Sequence, residues 1–572
     1  MGALRAHLAA GASFCAALLV MLASSPAVTA QHQAGHVARE AKIDEANGGF
    51  VGPLDHDDKF GVSLAALGDL DDDGVVDVAV GASGDDDGGL DRGAVWILFL
   101  NVDGTVKAEQ KISSTAGGFT GPLLNNDRFA RAVAGIGDLD GDGVEDLAVG
   151  SEGDDDGGSG RGAVWILFLN TDGTVKAQQK ISDLSGGLAA TLGNDDRFGS
   201  SIAVLGDLDG DDITDIAVGA RRDDEGALDM GAMYVLRLNA NGTVKAEQKI
   251  NSVQGGFTGA LDAVDFFGEA AMGPGDLDGD SIPDLIVGTQ GDDDGGSNRG
   301  CVWFLYLNAD GTVKGHAKIS QTQGGFPELL GNEDYLGSSF APVGDLDGNG
   351  VADLAVGARR DDDGGTNAGA IWILFLDDDE TCLAATKISA TTGNFAGTLG
   401  NEFQFAGALA GLGDMNGDGP HELICSAPGD NTSGTTEGAQ WVLFLVDGPW
   451  VDLAHALAGV QGEPRLVGDG PLTGGSGIDI ELSRAAPSST AWLVFGLATL
   501  YLPFESGILV PDFSPPGNLL PLVTNGGGGL GINATWPTGV PGGVEIFFQY
   551  WIVDAAGPSG WAASNAVRAT TP

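Results

Sequence analysis

Short apolar runs separated by Asp/Gly-rich turns fill most of this chain, and their spacing favours strands over helices. Phe60 to Leu67 reads as one strand and leads into an acidic loop from Asp69 to Asp77. Val78 to Gly81 reads as a second. The loop Ser83 to Arg92 follows, carrying Asp85-Asp86-Asp87-Gly88-Gly89. Ala94-Val95-Trp96-Ile97-Leu98-Phe99-Leu100 is apolar on both faces and predicts a strand buried on both. After the turn at Asp103-Gly104, Thr105 to Ser113 alternates, ending in Lys111-Ile112-Ser113 as a fourth strand.

This unit recurs at a constant step of 69 residues. The step links Asp69, Asp138, Asp207, Asp276, Asp345 and Asp414. It also links Trp96, Trp165, Tyr234, Trp303, Trp372 and Trp441, and the Lys-Ile pairs ending at Ile43, Ile112, Ile181, Ile250, Ile319 and Ile388. A constant period requires every unit to fit the same neighbours, as in a closed ring or regular stack. Four short antiparallel strands repeated six times predict an all-β fold, a six-bladed β-propeller. The first Lys-Ile, Lys42-Ile43, belongs to no complete unit, while the sixth unit lacks a fourth strand after Leu445. The N-terminal strand is therefore expected to complete the sixth blade and close the ring. A seven-bladed alternative needs a divergent blade beyond residue 450, where no acidic loop occurs.

Composition changes the picture in one respect. The 572 residues carry 81 Asp+Glu against 27 Lys+Arg, a formal net charge of −54. That balance excludes nucleic acid and anionic membrane surfaces as partners. With 42% hydrophobic residues the chain has ample material for a core, so disorder does not explain the acid. A folded protein that requires cations does.

The acidic loop supplies the chemistry. Asp69-x-Asp71-x-Asp73-Gly74-x-x-Asp77 places carboxylates at positions 1, 3, 5 and 9, with a glycine for the turn. Alternate spacing lets side chains converge while intervening residues point away, and hard oxygen ligands in that number suit Ca²⁺. The second loop offers Asp138, Asp140, Asp142 and Asp146, and the third Asp207, Asp209, Asp211 and Asp215. The fourth has Asp276, Asp278, Asp280 and Asp284, the fifth Asp345, Asp347, Asn349 and Asp353, and the sixth Asp414, Asn416, Asp418 and Glu422. Loops three and four replace the turn glycine by Asp212 and Ser281.

Phe60-Gly61, the Asp-x-Asp-x-Asp-Gly-x-x-Asp loop and Gly81-Ala82, with Ala427-Pro428 in unit six, resemble the FG-GAP repeats of the integrin α-chain N-terminal propeller. The resemblance spans roughly residues 41–448. It implies calcium loops between the first two strands on a lower face, ligand binding on the upper face, and commonly seven blades. The usual Gly-Ala-Pro is Gly-Ala-Ser or Gly-Ala-Arg in several units.

At the opposite end, loops with Asp85–Asp87, Asp154–Asp156, Asp223–Glu225, Asp292–Asp294 and Asp361–Asp363 predict a ring of carboxylate, with Asp430 in the sixth unit. Arg92, Arg161 and Arg299 are expected to pair with these loops locally. The Trp/Tyr row is expected in the core rather than on a sugar-stacking surface. Histidines do not repeat, and no nucleophile or metallopeptidase motif occurs.

Residues 1–30 read as a secretory signal, with Arg5, an apolar run from Phe14 to Ala23 and Val28-Thr29-Ala30 at the cleavage site. No later run is long enough for a transmembrane anchor. Cys301, Cys382 and Cys425 replace small apolar residues of the repeat and predict buried free thiols. Beyond a linker at 31–40 and the propeller at 41–448, residues 449–572 predict a small β-sandwich. Its Phe548-Gln549-Tyr550-Trp551-Ile552-Val553-Asp554 run resembles a C-terminal module of secreted bacterial proteins. The sequence thus points to a secreted or cell-surface, monomeric, calcium-binding scaffold for adhesion to an extracellular protein or glycan. The alternative is an extracellular hydrolase or lyase acting on a glycan or phosphoester at an acidic site on the propeller face.

Overall fold

The computed structural model describes residues 34–571, apart from 417–420, 433–436, 447–449, 453–454, 463, 470–471, 473–474, 505, 513–518, 538–539 and 541–543. The expected signal at 1–30, with Cys15, lies outside the described residues. The chain divides into two compact units. One comprises His36–Gly344 and Asp353–Leu445, the other the described residues of 446–572 with Asp345–Ala352.

In the first unit, Phe60–Ala66, Val78–Ala82, Ala94–Leu100 and Val106–Ser113 pair in chain order as a four-stranded antiparallel sheet. Four more sheets repeat that order. The sixth is built from Leu409–Gly413, Glu422–Ala427 and Ala439–Leu445, and the N-terminal strand Val37–Ile43 pairs onto its outer edge. The register there matches the other sheets, with Lys42 opposite Trp441 as Lys111 is opposite Trp96. The expected strand closure is therefore present.

Neighbouring sheets are joined by one recurring bond. The amide of the repeat's aromatic position, at or just before the inner strand, donates to a carbonyl in the preceding unit: Phe129 to Arg92 at 2.9 Å, Phe198 to Arg161 at 3.0 Å and Phe405 to Ala368 at 2.9 Å. Phe60 donates to Glu437 at 3.1 Å, joining the sixth sheet to the first by the same contact. Six such sheets occur among the described residues. The unit is an all-β propeller.

The Phe-Gly pair has a steric reason. Gly199 has φ +88°, and a Cβ there would lie 2.4 Å from the Ala163 carbonyl oxygen. Ala130 and Ala406 occupy the same repeat position at φ 67° and 65°, carrying left-handed strain that glycine avoids.

The core lies between sheets. Trp165 meets Phe119 edge-on at 5.1 Å, and Trp96, Trp303, Trp372 and Trp441 make the equivalent contact with Phe50, Phe257, Phe326 and Phe395. The aromatic row is thus packed inside, as expected, and Cys301, Cys382 and Cys425 are buried free thiols. In the second unit a five-stranded and a three-stranded sheet share one core, in which Leu466, Ile478, Ile480 and Leu482 meet Leu493, Phe495, Phe548 and Tyr550. No helix among the described residues is long and apolar enough to cross a membrane.

Candidate cation loops and the opposite face

Each acidic loop follows the innermost strand of its sheet. Asp69 is held by the backbone: its Oδ1 accepts from the Asp73 amide at 2.8 Å and its Oδ2 from the Gly74 amide at 2.7 Å. Asp77 is fully buried and accepts from the Leu70 amide at 3.1 Å and the Leu100 amide at 3.0 Å, which ties the loop to the third strand. Asp146, Asp215 and Asp284 make the corresponding pairs of bonds. Burial pushes Asp77, Asp146 and Asp215 up to about 6, and Asp284 in the same direction.

Three of the four predicted positions converge. Carboxylate oxygens of Asp69, Asp71 and Asp77 lie within 4.8 Å of one another. So do those of Asp138, Asp140 and Asp146, of Asp207, Asp209 and Asp215, of Asp276, Asp278 and Asp284, and of Asp345, Asp347 and Asp353. Three carboxylates that close repel without a cation, and their hard oxygens match Ca²⁺ or a similar divalent ion. Positions 5 stand outside these groups. Asp73, Asp142, Asp211 and Asp280 instead accept from the backbone amide two residues on. Asn349 does the same toward Val351.

Loops three and four keep the turn without glycine. Asp212 and Ser281 take φ 66° and 69°, the left-handed region that Gly74 occupies at 90°. In the sixth loop Glu422 accepts from the Met415 amide at 2.7 Å and from Asn416 Nδ2 at 2.9 Å. Asp418 lies outside the described residues.

Sequence reasoning missed a lysine at each of four loops. Lys107 Nζ is 3.0 Å from Asp71 and also contacts Asp73; Lys245 is 2.8 Å from Asp209 and 2.7 Å from Asp211. Lys176 and Lys314 repeat the arrangement with Asp140 and Asp142, and with Asp278 and Asp280. Their 69-residue spacing was the available signal; the fifth unit has Leu383 at that position.

At the other end, the expected carboxylate loops each meet a lysine that the sequence reading left out. Lys111, the lysine of the Lys-Ile motif, lies 2.6 Å from Asp85 and 3.1 Å from Asp87, with its ammonium 5.3 Å from the Trp96 ring centroid. Lys180, Lys249, Lys318 and Lys387 repeat this pairing, and Lys42 bonds Asp430 at 2.9 Å. The local role expected of the arginines is corrected. Arg92, Arg161 and Arg299 reach Asn125, Asn194 and Asn332 of the following unit, because each loop packs onto its neighbour.

A profile of the FG-GAP repeat matches residues 129–167, 198–236 and 336–374. The chain carries FG-GAP repeats. Each matched segment begins at an inner strand, contains an acidic loop and ends in the apolar third strand. Among curated proteins, integrin alpha-3 of Cricetulus griseus is 34% identical over 204 residues, 35% of this chain and 17% of that protein. Integrin alpha-5 of Xenopus laevis is 43% identical over 97 residues, 17% of this chain and 9% of its own length. Integrin alpha-PS2 of Drosophila melanogaster is 29% identical over 247 residues, 42% of this chain and 16% of its length. The chain thus spans less than a fifth of each of these relatives, and the likeness is to an integrin alpha-like propeller.

Proposed function

We propose that this FG-GAP propeller is a secreted, calcium-stabilised scaffold that binds an extracellular protein or glycan without catalysing a reaction. The observation that carries the reading is the convergence of carboxylates at positions 1, 3 and 9 in five successive loops. A divalent ion at each would be held by Asp69, Asp71 and Asp77 and their equivalents, removing the repulsion and fixing the loop between strands one and two. Similarity to integrin alpha chains supports the adhesive part of the reading.

The test compares the full chain in calcium and in EDTA. Bound calcium measured by elemental analysis, a lower melting temperature after chelation, and calcium-dependent retention on arrayed matrix proteins or glycans are the expected results. An unchanged melt with no bound calcium refutes the metal assignment. Turnover of any arrayed polymer refutes the non-catalytic one.

A further inference from the structure

The repeat position after Gly-Ala departs from unit to unit, as Ser83, Glu152, Arg221, Gln290, Arg359 and Pro428. These residues open the loops between strands two and three, at the end of the ring opposite the acidic loops. Beside them, the inner strands of all six sheets line one cavity of about 100 Å³, with Arg131 and Glu269 in its wall.

The charges around it do not balance. Arg221 bridges the two buried acids, with Nε 3.1 Å from Glu152 and Nη1 3.1 Å from Glu269. Arg131 Nη2 lies 2.9 Å from Glu269. Arg359 Nη1 stands further off, 3.6 Å from Glu269, while its Nη2 donates to Gln290 at 2.7 Å. Its Nε is buried without a hydrogen-bond partner. Three guanidiniums thus share two carboxylates. Arg128 adds a fourth from a more exposed position, 3.3 Å from Glu152.

Both acids are already engaged. Burial would raise Glu152, but Arg221, Arg131 and Arg128 together hold it at about 2. Burial lowers Arg359, and the opposing pull of Glu269 does not restore it against Arg131 and Arg221. A buried donor without an acceptor and a surplus positive charge are both costly, and an incoming anion would relieve both.

We propose that this axial mouth binds a carboxylate, with Arg359 supplying its unpaired Nε–H and Arg221 and Arg131 holding the acids that orient it. A carboxylate can accept from that N–H, and the guanidiniums, which outnumber the two acids, supply the positive charge that draws it. The site needs no metal in the acidic loops. It rests on the scaffold reading only if the acid is carried by a macromolecular partner.

Calorimetric titration of the full chain with acetate and with an acetylated, amidated Gly-Asp-Gly peptide tests this, with acetamide and Gly-Asn-Gly as controls. Saturable binding of acetate, none of acetamide, and a loss of about tenfold or more in Arg359→Gln with no change in Arg161→Gln are expected. Binding of the Asp peptide as well supports a partner-borne acid; acetate alone supports the site with a free acid as its ligand and counts against a partner-borne one. Should Arg359→Gln melt early, Arg359→Lys keeps the charge but not the fork and is expected to lose a similar factor. No saturable acetate binding, or equal binding by wild type and both Arg359 variants, overturns the proposal.

Discussion

Replacing Ile43 by alanine tests whether the N-terminal strand closes the ring as a full member of the fold. Ile43 has no exposed surface and packs in one cluster with Phe50, Trp96, Leu98, Val442 and Phe444. Ile112, one repeat later, is also fully buried and lies near the end of the fourth strand of the first sheet. Ile43 pairs with Gln440, and Ile112 pairs with Val95 at the matching register. Truncating a buried Ile to Ala costs about 2–5 kcal/mol, and the two variants should lose similar amounts because their sites are equivalent. The assay is urea unfolding in calcium, comparing midpoints at unchanged slope. Removing Val37–Ile43 altogether should leave Ala439–Leu445 as an open edge and produce self-association on size exclusion. A loss below about 0.5 kcal/mol for Ile43→Ala, against the full cost for Ile112→Ala, would refute closure by this strand.

Four further outcomes follow from the same structure. Gln440 is buried with both amide atoms unpaired where other sheets carry Val95, Val164 or Ile371, so Gln440→Val should stabilise by about 1–3 kcal/mol in the same urea assay. Lys314→Met should lower the melting temperature in EDTA but not in calcium, since the ammonium stands beside Asp278 and Asp280 as an internal cation; an equal drop in both would contradict that role. Burial raises Asp58 and Asp265 to about 7 and Asp127, Asp196 and Asp334 to about 6. Their folded pKa values exceed the unfolded ones, so this stability is present below about pH 4 and lost as pH rises through about 6–7. Asp58 faces Asp55, Asp85 and Lys111, and Asp58→Asn should flatten the decline in melting temperature between about pH 5 and about pH 8. Gly199→Ala should destabilise by about 1–3 kcal/mol, while Ala130→Gly should not, because only the former adds a Cβ against a carbonyl at positive φ.

The strands were legible because each carries its own period and each turn its own Asp and Gly. Phe60–Ala66 and Ala94–Leu100 fall within a residue of the positions read from the pattern. Closure was legible for a different reason: Lys42-Ile43 was one strand too many at one end, and the other end was one too few. The acidic loops declared positions 1, 3 and 9, but the sequence could not show Asp73 turning toward the Val75 amide and Lys107. That depends on a lysine 34 residues away on the outer strand. The arginines were misassigned because a local pairing was assumed, whereas Arg92 crosses to Asn125 in the next unit. The axial cluster was least legible. Its members sit where the repeat is broken, and only the ring brings Glu152, Glu269 and Arg359 together.

The placement of the bases explains how a chain this acidic folds at all. The outer strand of the first sheet carries Lys107 toward the acidic loop at one end and Lys111 toward Asp85 and Asp87 at the other. One strand therefore offsets acid at both ends of its sheet, and Trp96 beneath Lys111 adds a cation–π contact. This compensation is partial at the acidic loops, where one ammonium serves Asp71 and Asp73 while Asp69 and Asp77 converge with Asp71. A divalent cation is the species that completes the balance there. At the axis the inequality reverses, three guanidiniums meeting two acids. The two ends of the ring thus call for ligands of opposite charge: the acidic loops for a metal ion, and the axial mouth for an acid.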